Sequence, residues 1–132
     1  MRKTRKPKQF GRRRRHLHIR HRLKGTTQRP RVVVFRSSRH IYAQVVDDEE
    51  GRVLTGVSSL STALREPGVA GVAGVAGVAG DKKAQAAAVG KLLAQELKKR
   101  GIARIVFDRA GYKYHGRVKA LAEASRKEGL GF

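Results

Sequence analysis

The sequence has no cysteine and no tryptophan. Without cysteine there can be no disulfide, zinc knuckle or thiol nucleophile, which fits a reducing compartment. Aromatic residues are few, four Phe and three Tyr, so Val, Leu, Ile and Ala must build the core from a hydrophobic content of 39%. No uninterrupted apolar run is long enough to span a bilayer or form a signal-peptide core, so the expectation is a cytoplasmic protein. Acid is absent from the first 39 residues; all ten Asp and Glu lie beyond Arg39.

Base is what the chain has in abundance. The 132 residues include 31 Lys and Arg, giving a net charge of +21. Sixteen of these cations precede His40, whereas residues 40–132 carry a net charge of only +5. Self-repulsion on this scale opposes compaction unless a polyanion neutralises it, so nucleic acid is the expected partner. A membrane surface is not, because "MRKTRKPKQFGRRRRH" offers no apolar face to bury in lipid. From Met1 to Arg15, with Pro7, Gly11 and little apolar besides Phe10, the chain cannot offset its ordering entropy and is expected to stay disordered until bound. "RHLHIRHRLKG" then predicts a short helix ended by Gly25. Residues 1–24 thus read as a basic RNA-binding arm, and residues 25–132 as one globular domain, a size that buries about two-thirds of its unfolded surface.

Within that domain, residues 31 to 36, 40 to 46 and 52 to 57 are β-rich runs separated by short polar turns, the pattern of an antiparallel meander. Alternation in the second run puts Ile41, Ala43 and Val45 on one face and His40, Tyr42 and Gln44 on the other. The tandem repeat "GVAGVAGVAGVAG", residues 68–80, matches no helical period and reads as a flexible, dispensable loop. A helix capped by Asp81 is predicted to run to about Arg100, with Gly101 as its stop. "ARIVF" follows as a buried strand, and a last helix runs from about Arg117 to Glu128. A strand after a helix implies a parallel crossover, so the fold class is α/β: a three-stranded antiparallel meander extended into a mixed sheet packed by two helices.

Catalysis finds little support. The contiguous "DDEE" of Asp47 to Glu50 sits in a turn where its carboxylates diverge, and reads as a solvated hairpin tip. Asp108 has no second acid predictably beside it, and His16 and His18 point apart on a helix, so neither a two-metal site nor a histidine cluster is expected. No metal or cofactor and no small-molecule substrate is implied. Anion-binding equipment is plentiful instead. "RSSR", Arg36 to Arg39, sets Ser37 and Ser38 between two guanidinium groups, suited to phosphate oxygens, with His40, Tyr42 and Gln44 beside it. In "DRAGYKYHGRV", Gly111 frees the backbone after a strand and Gly116 opens a helix whose first amides face anions. Arg109, Lys113, His115 and Arg117 add charge there, while Tyr112 and Tyr114 can stack on bases or simply pack. Arg117 has two readings, a phosphate ligand or a salt bridge to Asp108.

The stretches "FRSSRHIYAQVV", "AAAVGKLLAQ" and "FDRAGYKYHGRVKALAEASRKEGLGF", with the arginine-rich start, resemble the bacterial large-subunit ribosomal protein eighteen family over almost the whole chain. The resemblance implies a small α/β sandwich of ribonuclease H-like topology, no enzymatic activity, and a ribosomal protein that binds 5S rRNA and helps attach it to 23S rRNA among neighbouring large-subunit proteins. It implies RNA-facing positions at Arg12, Arg13, Arg14 and Arg15, with Arg20, Arg22 and Lys24 completing the arm. It implies the same for Arg36, Ser37, Ser38, Arg39, His40, Tyr42 and Gln44, and for Arg109, Tyr112, Tyr114, His115, Gly116 and Arg117. The GVA repeat departs from the family, whose connection here is usually shorter. Two rivals remain: a basic protein that compacts nucleic acid without preference, and a metal nuclease of related topology, which would need convergent acids.

Overall fold

The computed structural model describes residues 8–61, 64 and 82–132. The segment before Lys8, the GVA repeat and the expected cap Asp81 lie outside the described residues. The elements are α1 (Lys8–Arg20), β1 (Arg31–Arg36), β2 (Ile41–Asp47), β3 (Arg52–Ser58), α2 (Lys82–Lys99), β4 (Val106–Asp108) and α3 (Arg117–Lys127).

The strands form one sheet in the order β3-β2-β1-β4. β1, β2 and β3 pair antiparallel as the expected meander, with an irregularity at Val45/Val46, and β4 adds to β1 in parallel. β4 is shorter than the "ARIVF" run because the C-terminus takes part of its pairing. The Ile105 amide donates to the Gly131 carbonyl at 3.1 Å, and the Gly131 amide donates to Ala103 at 2.9 Å.

Period-two alternation divides the sheet. Val32, Val34, Ile41, Ala43 and Val45 are buried on one face, joined in the core by Val89, Leu93 and Leu97 of α2 and by Val118 and Leu121 of α3. α2 lies against β2 and β3 and packs along α3. The two helices approach closely at Gly90, where an added Cβ would stand 2.2 Å from the Leu121 carbonyl oxygen. The buried Ser125 hydroxyl donates to the Gly90 carbonyl at 3.0 Å across the same approach.

The basic arm differs from expectation. Helix begins at Lys8, inside the stretch expected to be disordered, and ends at Arg20, short of Gly25. The reason is tertiary: α1 docks on the loop after β4, which supplies polar partners that its thin apolar face lacks. Gly25 is no helix stop but a close-approach position, with its missing Cβ 2.4 Å from the Arg31 amide nitrogen and its own amide donating to Asp48 at 2.6 Å.

Candidate nucleic-acid interface

Under α1 lies a chain of ions. Arg31 is buried and donates to Asp108 at 2.7 Å and to Asp48 at 2.9 Å. Burial alone would lower its pKa, but the bonds from the two carboxylates outweigh that and raise it. The Arg31 guanidinium in turn holds the Asp48 carboxyl below its usual range, against the opposing effect of burial. His16 of α1 reaches Asp108 at 3.3 Å, and Arg20 reaches Asp48 at 3.6 Å. Asp47, fully buried, accepts from the Thr27 hydroxyl at 2.9 Å and the Glu49 amide at 3.0 Å. The expectation of a solvated "DDEE" tip is therefore corrected for Asp47 and Asp48, which are scaffold. The stretch looked like a free turn because its partners, Thr27 for Asp47 and Arg31 and Arg20 for Asp48, are distant in sequence. No group of three or more His, Cys, Asp or Glu able to hold a metal occurs among the described residues.

The second anchor of α1 is Tyr112. It is buried, and its ring is flanked by the guanidinium carbons of Arg12 at 4.7 Å and Arg36 at 5.1 Å. Its hydroxyl accepts from Arg12 at 2.8 Å and donates to the Arg36 carbonyl at 3.1 Å. Of the two roles open to Tyr112, packing is the one realised, since the residue is buried. Arg15 donates to the Gly111 carbonyl at 2.9 Å. Arg13 and Arg14 point to solvent.

Three adjoining depressions mark the surface beside this anchor. One, of about 340 Å³, runs along α1 between Arg13, His16, Phe35 and Tyr112. It shares Val33 and Phe35 with a second, about 480 Å³, on the open sheet face with Tyr42 and Gln44. It shares Arg12 and Tyr112 with a third, about 550 Å³, which gathers Arg36, Ser37, Ser38, Gly116 and Arg117. Phe35 is 52% exposed and lies 5.8 Å from the Tyr42 ring, centroid to centroid.

At the β1–β2 turn, the Ser37 hydroxyl is committed to closing the turn, donating to the His40 carbonyl at 3.1 Å, while Ser38 and Arg39 are exposed. His40 lies 2.9 Å from the Ser59 hydroxyl. Arg117 does not pair with Asp108; it donates to the Ser37 carbonyl, tying the first turn of α3 to the turn. Burial first, and then the neighbouring Arg36, lower its pKa. Gly116 caps α3 at φ 59° with no side-chain hydrogen bond to its amides. Arg109 is turned inward to the Tyr112 carbonyl.

The structure thus unites Arg12, Arg13, Arg36, Ser37, Ser38, Tyr42, Gln44, Gly116 and Arg117 on one surface. Tyr114 is not part of it. It packs edge-on against Phe107 at 6.5 Å, in a cluster with Phe132 and Arg126. Arg22, Lys24 and His115 are exposed and line none of the three depressions. Sequence reasoning missed Phe35, Lys82 and Lys83. The alternation that placed Tyr42 outward would have placed Phe35 outward too, whereas no sequence signal brings the start of α2 to the turn.

The model of the family described as ribosomal L18 of archaea, bacteria, mitochondria and chloroplasts matches residues 6–132. The chain belongs to the ribosomal L18 family. It is 47% identical to the large ribosomal subunit protein uL18 of Petrotoga mobilis, over 92% of both chains. It is 50% identical to that of Sorangium cellulosum, over 92% of this chain and 95% of the relative. Against that of Solibacter usitatus the identity is 48%, over 89% of this chain and 88% of the relative. The resemblance carried by the terminal "DRAGYKYHGRV" block is thereby upheld, and with it a ribosomal, non-enzymatic protein. No described helix is long and apolar enough to cross a membrane.

Proposed function

We propose that this L18-family protein binds 5S rRNA in the large ribosomal subunit and helps attach it to 23S rRNA, beside neighbouring large-subunit proteins. The observation that carries the reading is the continuous surface of α1, the open sheet face and the β1–β2 turn, where guanidinium groups border the exposed Phe35 ring and the half-buried Tyr42 beside it. Cations positioned for phosphates beside Phe35 and Tyr42 suit RNA whose bases are accessible, since stacking needs an unpaired base and phosphate binding needs only a backbone. The +21 charge supplies affinity, and the shaped surface supplies preference.

Arg13 and Arg14 face solvent from the docked helix and are the cleanest probes. Replacing both with Ala should reduce the log-log salt slope of RNA binding by about 0.7 to 0.9 for every phosphate that α1 no longer neutralises, with the folded state unchanged. An unaltered slope would mean that α1 does not meet phosphate.

A further inference from the structure

His40 is clamped from two sides. At the β1–β2 turn, the Ser37 amide and hydroxyl both donate to the His40 carbonyl, at 2.9 and 3.1 Å, and the same hydroxyl accepts from the His40 amide at 3.0 Å. The backbone of His40 is therefore fixed. From just past β3, the Ser59 amide donates to the carbonyl of the buried Ile41 at 3.1 Å, and the Ile41 amide donates back to the Ser59 hydroxyl oxygen at 3.3 Å. That oxygen lies 2.9 Å from Nδ1 of His40.

Counting protons decides what the ring presents. An amide can only donate, so the Ser59 oxygen already accepts one hydrogen bond from Ile41, and its own proton has a single acceptor among the described residues, Nδ1 of His40. A neutral imidazole that accepts at Nδ1 carries its proton at Nε2. Nε2 makes no hydrogen bond to any described residue, and no buried side-chain nitrogen or oxygen among them is left without one, so Nε2 faces solvent.

We propose that Ser59 is a positioning residue for RNA recognition: it holds neutral His40 in the Nε2–H tautomer, so that the ring aims a fixed donor at an acceptor oxygen of RNA lying over the turn. The inference rests on the RNA-binding reading above and states how one side chain of that turn is prepared. The opposite tautomer would turn a lone pair outward, against the lone pairs of phosphate oxygens. Exposed Arg36, Ser38 and Arg39 belong to the same turn, so the oxygen-rich RNA backbone is the fitting partner. Because backbone and ring are both tied before RNA arrives, little rotamer freedom is left to lose on binding. Ser59 lies 19 positions from His40 in sequence, and the β2–β3 pairing is what brings the two together.

The test uses the full chain, isotope-labelled at its imidazole nitrogens and observed by NMR in mildly alkaline buffer, where histidine is neutral. Wild-type His40 should show a bare Nδ1 and a protonated Nε2, and 5S rRNA should move the Nε2 signal without exchanging the two. Ser59→Ala should give a mixture of tautomers and weaken 5S rRNA binding about three- to tenfold, the size of one net hydrogen bond. Ser59→Thr should restore both. A serine that acted only by bracing Ile41 would weaken binding with or without the imidazole. In a His40→Ala chain, therefore, adding Ser59→Ala should cost no further affinity, measured where circular dichroism shows each variant folded. A protonated Nδ1 in the wild type, or an equal loss from Ser59→Ala in the two backgrounds, would overturn the proposal. Competition of 5S rRNA with tRNA for the wild type, run in parallel, keeps the two readings apart. If 5S rRNA is not preferred, the RNA reading fails and takes the ligand of His40 with it; if it is preferred and the tautomer is the opposite one, the positioning role alone fails.

Discussion

Gly111 lies against the backbone of Arg12: a Cβ on Gly111 would stand 2.2 Å from the Arg12 carbonyl oxygen and 2.9 Å from the His16 amide nitrogen. The glycine that the sequence suggested merely frees the backbone after a strand is the notch in which α1 sits. Its φ of 79° adds a second reason why no other residue fits. Gly111→Ala should therefore undock α1, since backbone cannot yield as a side chain can, and the left-handed conformation alone costs about 1–2 kcal/mol. Amide exchange over residues 12–20 should accelerate toward the unprotected rate while α2 stays protected. Equal protection in both proteins would show that α1 is held by other means.

Stability should depend on Asp48 in acid. Its carboxyl is held below the usual range by the Arg31 bond, so the native state favours the ionised form. That contribution is complete above roughly pH 5 and is lost as pH falls through the lowered native value. Urea midpoints measured from pH 6 to pH 2 should fall, and Asp48→Asn should be less stable at pH 6 with a shallower fall. Parallel curves for the two proteins would contradict the linkage.

Gly90→Ala separates scaffold from interface. The added methyl group would meet the Leu121 carbonyl at 2.2 Å, forcing α2 and α3 apart. Overpacking of this kind costs about 1–3 kcal/mol, so the melting temperature should drop while RNA affinity per folded molecule is unchanged. Weaker RNA binding at a temperature where the variant is fully folded would link the helix pair to recognition.

Phe35→Ala should lower RNA affinity by about 1–3 kcal/mol, the range for removal of a base-stacking aromatic. Because the ring is 52% exposed, stability should change little. An unchanged affinity with a large fall in stability would make the aromatic pair structural.

Sequence periodicity carried the meander, the parallel crossover and both core helices, because alternation and helical spacing report burial directly. It also carried the outward placement of Tyr42 and Gln44. It could not place Asp48 and Asp108, whose meaning depends on Arg31, 17 and 77 positions away in sequence respectively. Nor could it place α1. Local composition argues against order there, and order comes from Tyr112 and Gly111 nearly a hundred residues further on. The same limit hid Lys82 and Lys83, which reach the turn only through the fold.

Preference for 5S rRNA over nucleic acid in general is what divides a ribosomal RNA receptor from a merely basic protein. It is measured by competition binding of labelled 5S rRNA against excess tRNA at several salt concentrations. The expected result is that 5S rRNA stays bound across the series, with affinity falling with salt as phosphate binding requires. Equal displacement by tRNA at every salt concentration would contradict it and leave a basic protein that compacts RNA without choosing it.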